Sequence, residues 1–329
     1  MVCSVKREDF LSNASNKVQL IKLVCNHFEA NGMKVTICPA DADLPVVTET
    51  LASAKDHPTI LVGDDSDLLV LLCYYSCKNK DVYFKSEPRK SKKSKKKPGK
   101  ESVRVWNVKQ TKEALGKRVC DNILFIHTLL GCDTTSSLFS IGKSIALTKC
   151  IKDDKFVECA RVFTDVAASH KDIEEAGEKA MLIVYNGGGS KLDDLRYKLY
   201  CRKVAASKKV LDTKALPPTS NAAKYHSFRV NCQVQEWKEV TCDPTLWGWT
   251  SKQGGLVAMQ NAQNAEAAPE ELLSVIRCCC KGDCSTQRCT CRKHGIKCSV
   301  VCKTCNGISC INGQSVDIGN GEGDGNGND

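Results

Sequence analysis

No stretch of this chain approaches the ~20 consecutive apolar residues of a membrane-spanning helix, so no membrane partner is expected. The opening residues, MVCSVKREDF, are charged and lack an apolar core, so no secretory leader is expected either. Aromatic residues are scarce, at 6%. Acidic residues are in deficit, with 38 Asp and Glu against 48 Lys and Arg, and the formal charge of +10 points towards a polyanionic partner. Cysteine, by contrast, is abundant. Without a leader, the 22 cysteines read as reduced, intracellular thiols. Ten of them crowd between Cys278 and Cys310, which favours metal over disulfides. The others lie mostly in apolar contexts, where a free cysteine behaves as a small core residue. At 329 residues the chain is long enough for two or three domains.

The N-terminal half alternates helix-like and strand-like patterns, which predicts an α/β layer structure. Apolar positions from Val18 to Phe28 predict a helix over Asn16–Asn31 with one buried face, ended by Gly32. Lys34–Cys38 (KVTIC) reads as a strand. Asp41 and Asp43 precede Pro45 and a helical run, so they lie at a helix N-terminus, where either could be a simple cap. Thr59–Val62 reads as a buried parallel strand ending at Gly63 and at Asp64, Asp65 and Asp67. Open α/β sheets place ligands at such strand ends. Clustered carboxylates there suit Mg²⁺ or Mn²⁺, and the competing reading is an Asp-rich turn capping a helix.

Residues 81–84 and 103–108 read as a hairpin separated by RKSKKSKKKPGK, a run too charged and too poor in apolar residues to fold. Lys95, Lys96 and Lys97 lie at its centre, in a loop spanning 88–101. The run is a solvated loop, a nuclear-import signal or a sleeve for nucleic-acid phosphates. Further on, the spacing from Ile123 to Leu130 predicts a helix leading into Gly131-Cys132-Asp133. Gly142 and Lys143 then open another helix, where turn amides and a lysine can hold a phosphate. Helices are predicted over Asp153–Ala180, Lys191–Val210 and Asn221–Trp237, and Trp247 and Trp249 as a structural anchor.

The order DADL, DDSD, helix-GCD and IGK resembles the core of the flap-endonuclease-like (PIN-like) 5′-nuclease superfamily. The resemblance implies a parallel-sheet α/β core over residues 1–150 with divalent-metal ligands at Asp41, Asp43, Asp65, Asp67 and Asp133. Ile141, Gly142 and Lys143 would form its phosphate turn. The chemistry implied is two-metal phosphodiester hydrolysis. That superfamily supplies further aspartates upstream of the first acid pair. Here only Glu8, Asp9 and Glu29 precede Asp41. The resemblance therefore implies either a core that is N-terminally incomplete or one that no longer cuts. Residues 151–270 would be a helical extension and linker.

From Cys278 the spacing is C-C-C-x3-C-x4-C-x-C-x6-C-x3-C-x2-C-x4-C. It resembles the tesmin/TSO1-like CXC domain, in which nine cysteines wrap three zinc ions through bridging thiolates. Leaving out Cys279, the implied ligands are Cys278, Cys280, Cys284, Cys289, Cys291, Cys298, Cys302, Cys305 and Cys310, in a module over 276–313. Zinc would supply its folding energy, because apolar residues are almost absent there. Arg288, Arg292 and Lys293 interleave with the ligands and would contact DNA. Arg288 stands where the family often has a minor-groove tyrosine, and Cys302-x-x-Cys305 replaces a usual Cys-x-Cys. Residues 314–329, rich in Gly, Asn and Asp, read as a disordered tail. The arrangement resembles mobile-element-related CXC proteins. It implies a nuclear DNA-binding zinc protein, with chromatin proteins as further partners. The alternatives are an active Mg- or Mn-dependent endonuclease and a protein-interaction adaptor.

Overall fold

The computed structural model describes residues 7–38, 41–77, 81–86, 104–189, 191–206, 213–252, 254–259, 277–298 and 302–313. Lys95, Lys96 and Lys97, the expected linker over 260–270 and the expected tail over 314–329 lie outside the described residues. The chain divides into two units, Met1–Gln260 and Asn261–Asp329.

The first unit is mixed α/β and mostly helical. Its larger sheet has three strands, β1 (Thr59–Val62), β2 (Val82–Ser86) and β3 (Arg104–Asn107), in the order β1-β2-β3. β1 runs parallel to β2 and β2 antiparallel to β3, so the sheet is mixed where a parallel sheet was expected. β1 is also not buried on both faces: Leu61 points into the core, whereas Ile60 and Val62 are exposed. One ladder neighbour and one covered face explain the difference.

Two further expectations fail in the N-terminal stretch. The predicted helix forms as α1 (Arg7–Ser12) and α2 (Ala14–Ala30), but no residue of α2 is buried. Leu23 is 67% exposed, because no layer among the described residues covers that apolar stripe. Residues 34–38 have no ladder partner among the described residues and form no strand.

The core is organised around α6 (Lys117–Leu129), whose run from Asn122 to Leu129 is buried on every side. Such an all-round apolar helix must be enclosed. It is enclosed by α4 (Ser66–Tyr75), α5 (Val108–Leu115), α7 (Lys143–Lys152), α8 (Asp154–Thr164) and α11 (Ser220–Trp237). Phe125 packs against Phe156 and Phe163, with ring centroids 5.6 and 4.7 Å apart. A single apolar cluster therefore runs from Val47 on α3 (Asp43–Ser53) to Trp237 on α11, across the expected boundary at residue 150.

The predicted Asp153–Ala180 helix is two, α8 and α9 (His170–Val184), separated by a turn that ends in a Ser169–Asp172 capping box. α9 crosses α11 so closely at Gly177 that a Cβ there would stand 1.9 Å from Ser227 Oγ. α10 (Leu192–Ala206) follows, and β4 (Trp249–Lys252) with β5 (Gly255–Ala258) makes a separate hairpin. Trp247 stacks on His170 at 4.2 Å, which gives it the anchoring role expected.

Among the described residues of the second unit there is almost no regular structure beyond α12 (Thr290–Lys293). Its interior is sulfur. Cys278, Cys284, Cys289, Cys291, Cys298, Cys302 and Cys305 are buried together, with Cys280, Ile296 and Cys310 partly buried against them.

Candidate metal centres

The first unit brings acids from three chain segments to the C-terminal end of β1. Asp65 caps α4, its carboxylate accepting from the Asp67 N–H at 3.0 Å. Asp67 lies in the first turn of α4 and Asp43 in the first turn of α3. Two helix N-termini thus face the cluster, and their dipoles favour ionised carboxylates. Capping and clustering are both true of Asp65. Oxygens of Asp43, Asp65 and Asp67 lie within 4.8 Å of one another, close enough to share one cation.

Asp41 is exposed and accepts from the Asp43 N–H at 3.2 Å. It does not join that triplet, but its charge reaches it. Burial first, then the charges of Asp41, Asp65, Asp67 and Asp133, push the Asp43 carboxyl up to about 6. Asp133 is exposed on the rim of an open cleft of ≈ 720 Å³ that is also lined by Asp64, Asp65, Asp67 and Ser137. Gly131 lets the chain leave α6 towards Asp133. Its φ is +110°, and a Cβ would stand 2.8 Å from the Ser137 Cα, so no other residue fits without strain. The loop is pinned by Thr135 Oγ1 donating to Thr128 O at 2.7 Å and Thr134 Oγ1 donating to Gln233 Oε1 at 2.6 Å.

Two participants escape a reading of the sequence. His127, buried in α6, lies 2.6 Å through Nε2 from Asp67 Oδ1, and Lys143 Nζ lies 2.8 Å from its Nδ1. A lysine ammonium has only protons to offer, so Nδ1 accepts and the histidine proton sits on Nε2, donated to Asp67. Burial of Asp67 opposes its ionisation, but the His127 hydrogen bond and the Lys143 charge outweigh it and hold the carboxyl below its usual value. A lone histidine among apolar residues at positions 123–130 was the available signal. Glu236 on α11 is the second participant: burial, then the charge of Asp41, raises its carboxyl. No local pattern marks it, since it comes from almost two hundred residues away.

Gly142 is the N-cap of α7 and offers no side-chain cap. Lys143 opens that helix, with its ammonium turned to His127.

In the second unit the cysteines form three overlapping quartets. They are Cys278-Cys280-Cys284-Cys289, Cys278-Cys284-Cys298-Cys305 and Cys278-Cys289-Cys291-Cys298. Cys278 belongs to all three, and Cys284, Cys289 and Cys298 to two each. Sulfur pairs lie 3.8 Å (Cys278–Cys284), 3.8 Å (Cys289–Cys298) and 3.9 Å (Cys278–Cys305) apart. Tetrahedral zinc with bonds near 2.3 Å sets its ligand sulfurs ~3.8 Å apart. A disulfide needs ~2.05 Å. The residues present therefore fit zinc, and the cluster can hold it.

Cys302 lies 3.5 Å from Cys291, while Cys310 neighbours Cys284 and Cys298. Cys279 is exposed. Burial works against ionisation of Cys289, yet the Arg292 N–H and neighbouring thiols bring it down to about 7, which makes it a ready thiolate. Arg288 and Lys293 are exposed and Arg292 is partly buried. The Asn312 amide donates to Ile296 O at 3.0 Å and to Cys298 Sγ at 3.4 Å, closing the module on itself.

Compared with known protein families, characterised proteins and solved structures, the chain matches none.

Proposed function

We propose that this is a DNA-binding zinc protein whose second unit is folded by a zinc–thiolate cluster and whose first unit carries a nuclease-like carboxylate site. The observation that carries the first part is the overlap of three cysteine quartets through Cys278 at zinc-like sulfur spacing. Three tetrahedral ions need twelve ligand positions, which nine cysteines supply only if some thiolates bridge. Exposed Arg288 and Lys293 beside this cluster give the module a basic face, and the chain as a whole carries +10. Such a face suits phosphates, and an arginine suits a narrow minor groove. Nuclear residence and chromatin proteins as partners belong to the same reading, through the basic run Arg89–Lys100. The test is titration of duplex DNA with the zinc-loaded chain at several salt concentrations. Affinity should fall steeply with salt, and Ala at Arg288, Arg292 and Lys293 together should flatten that slope. Salt-independent binding would sink the reading.

A second reading, hydrolysis of phosphodiesters, is favoured by the convergence of Asp43, Asp65 and Asp67 beside the open cleft. Mg²⁺ or Mn²⁺ bound there would supply Lewis acidity and an activated water. The residues themselves hold the cation, with Asp67 fixed by His127. The cleft leaves room for a backbone, and the α7 N-terminus at Gly142 would offer its free N–H groups to a phosphate. Mn²⁺-dependent cleavage of flap or hairpin DNA, lost in Asp65→Asn, tests it. Equal cleavage by that variant would remove it.

A further inference from the structure

We propose that Lys143 is the built-in counter-cation of the carboxylate site: it balances Asp67 and Asp65 in the metal-free protein and opposes any divalent ion that enters. The inference rests on the reading of Asp43, Asp65 and Asp67 as a cation site. Its physical basis is that Lys143 sits where a lysine is ordinarily unfavourable. It is the first residue of a ten-residue helix whose N-cap, Gly142, contributes no side chain, so the helix dipole repels its charge. Partial burial lowers its pKa further, and only the charges of Asp67, Cys132 and Asp65 act in the opposite direction. Yet the side chain does not swing out to water. Its Nζ is turned onto His127 Nδ1 at 2.8 Å, and His127 passes the contact to Asp67 Oδ1 at 2.6 Å. The chain of groups runs from an exposed lysine stem to a histidine and an aspartate that are 3% and 4% exposed. What holds an ammonium at the wrong end of a helix is the surplus of carboxylate charge behind it.

A lysine in this position has a consequence opposite in sign to that of His127. His127 orients the Asp67 carboxylate, and outer partners of that kind typically change metal affinity ~10–100-fold. Lys143 repels an incoming cation, so removing its charge strengthens binding. In the same stroke, the metal-free site loses its only neutralising partner on α7 and becomes less stable.

The experiment compares wild type, Lys143→Met, Lys143→Arg, Asp65→Asn and the Lys143→Met/Asp65→Asn double variant, as zinc-loaded full chains freed of other divalent ions. Metal-free melting temperatures come first. Lys143→Met should fall by about 2–4 °C, Lys143→Arg should stay near wild type, and Asp65→Asn should reduce the fall. Mn²⁺ titration follows, read by the electron paramagnetic signal of the free ion. Lys143→Met should bind roughly tenfold tighter than wild type. Unchanged or weaker Mn²⁺ binding by Lys143→Met overturns the proposal. So does additivity of the two substitutions in the metal-free cycle, since methionine matches the lysine stem and a merely structural role would show no coupling to Asp65. Should wild type bind no Mn²⁺ at all, the cation-site reading fails by itself, and the metal-free cycle still decides whether Lys143 is the counter-charge.

Discussion

Replacing Cys278 by serine should dismantle the whole second unit, whereas the same change at its neighbour Cys279 should do nothing. Cys278 is completely buried and shared by all three quartets, while Cys279 is exposed and in none. Serine keeps the size but replaces a thiolate with a hydroxyl that is a poor zinc ligand at neutral pH. One structural zinc contributes about 10–16 kcal/mol of apparent folding free energy, and a whole domain is stable by only ~5–15 kcal/mol. The described residues of the second unit hold little reserve against that loss. Apart from cysteine, Ile296 is the only partly buried apolar residue among its described residues, and Ile308 and Ile311 are exposed. Burying one isoleucine is worth about 1.5–3 kcal/mol. Native mass spectrometry should find three zincs on wild type and on Cys279→Ser, and fewer than three on Cys278→Ser. Limited proteolysis should then cut Cys278→Ser within 261–329 and leave the first unit intact. Three zincs and wild-type protease resistance in Cys278→Ser would refute the shared-ligand argument, as would equal damage from both substitutions.

The remaining predictions concern the first unit. Asp43 has its carboxyl raised from 3.8 to about 6, so its protonated form is favoured by the fold. The stability this brings is lost as pH rises from about 4 through 6. In the metal-free protein Asp43→Asn should therefore raise stability by about 1–2 kcal/mol at pH 7.5, after allowance for solvent screening, and change little at pH 4; urea midpoints at the two pH values check this. His226, donating to Leu129 O at 2.9 Å, is pushed down from 6.5 to about 4, chiefly by burial, so its contribution is lost as pH falls from 6.5 towards 4. His226→Asn should flatten that acid limb by roughly 3 kcal/mol, measured by the same urea series, and an unchanged limb would show that another group governs it. Gly177→Ala should cost about 1–3 kcal/mol through its clash with Ser227, and a urea midpoint equal to wild type would show that α9 and α11 can part.

How much of this was legible in the sequence depended on how local the cause was. Cysteine spacing is local, so one 33-residue window from Cys278 to Cys310 contains the entire cluster. The convergence of Asp43, Asp65 and Asp67 was legible because each stands at a helix end that has its own signal, whereas Asp41 and Asp133 lie outside that triplet. Where burial depended on a distant layer, the reading failed. The stripe on α2 has the spacing of a buried face, but spacing cannot say whether anything covers it, and Leu23 is exposed. Residues 34–38 have strand-like composition and no ladder partner among the described residues. His127 and Glu236 were missed because their roles are set by partners sixty and almost two hundred residues away, Asp67 and Asp41. Lys143 was found for a different reason: it looked like a phosphate contact at a helix start, and its ammonium instead reaches His127.

The two candidate centres stand on opposite relations between fold and metal. The carboxylates are placed by elements that have their own reasons to form. α3 and α4 bury Val47, Leu68, Leu71 and Leu72 in the apolar cluster, and Gly131 and Thr135 fix the loop carrying Asp133. Such a site exists before any ion arrives, and its cost is visible in the raised Asp43 carboxyl and in a lysine held at the wrong end of a helix. The cysteine cluster reverses this order. Its sulfurs are the interior, and with protons on them they offer one another only weak hydrogen bonds. Cys278 and Cys284 are both pushed up by burial, so without metal they remain thiols. On the proposed reading, removing a divalent ion from the first unit exchanges one charge balance for another, with Lys143 already in place. On the proposed reading, removing zinc from the second unit removes the reason that it folds.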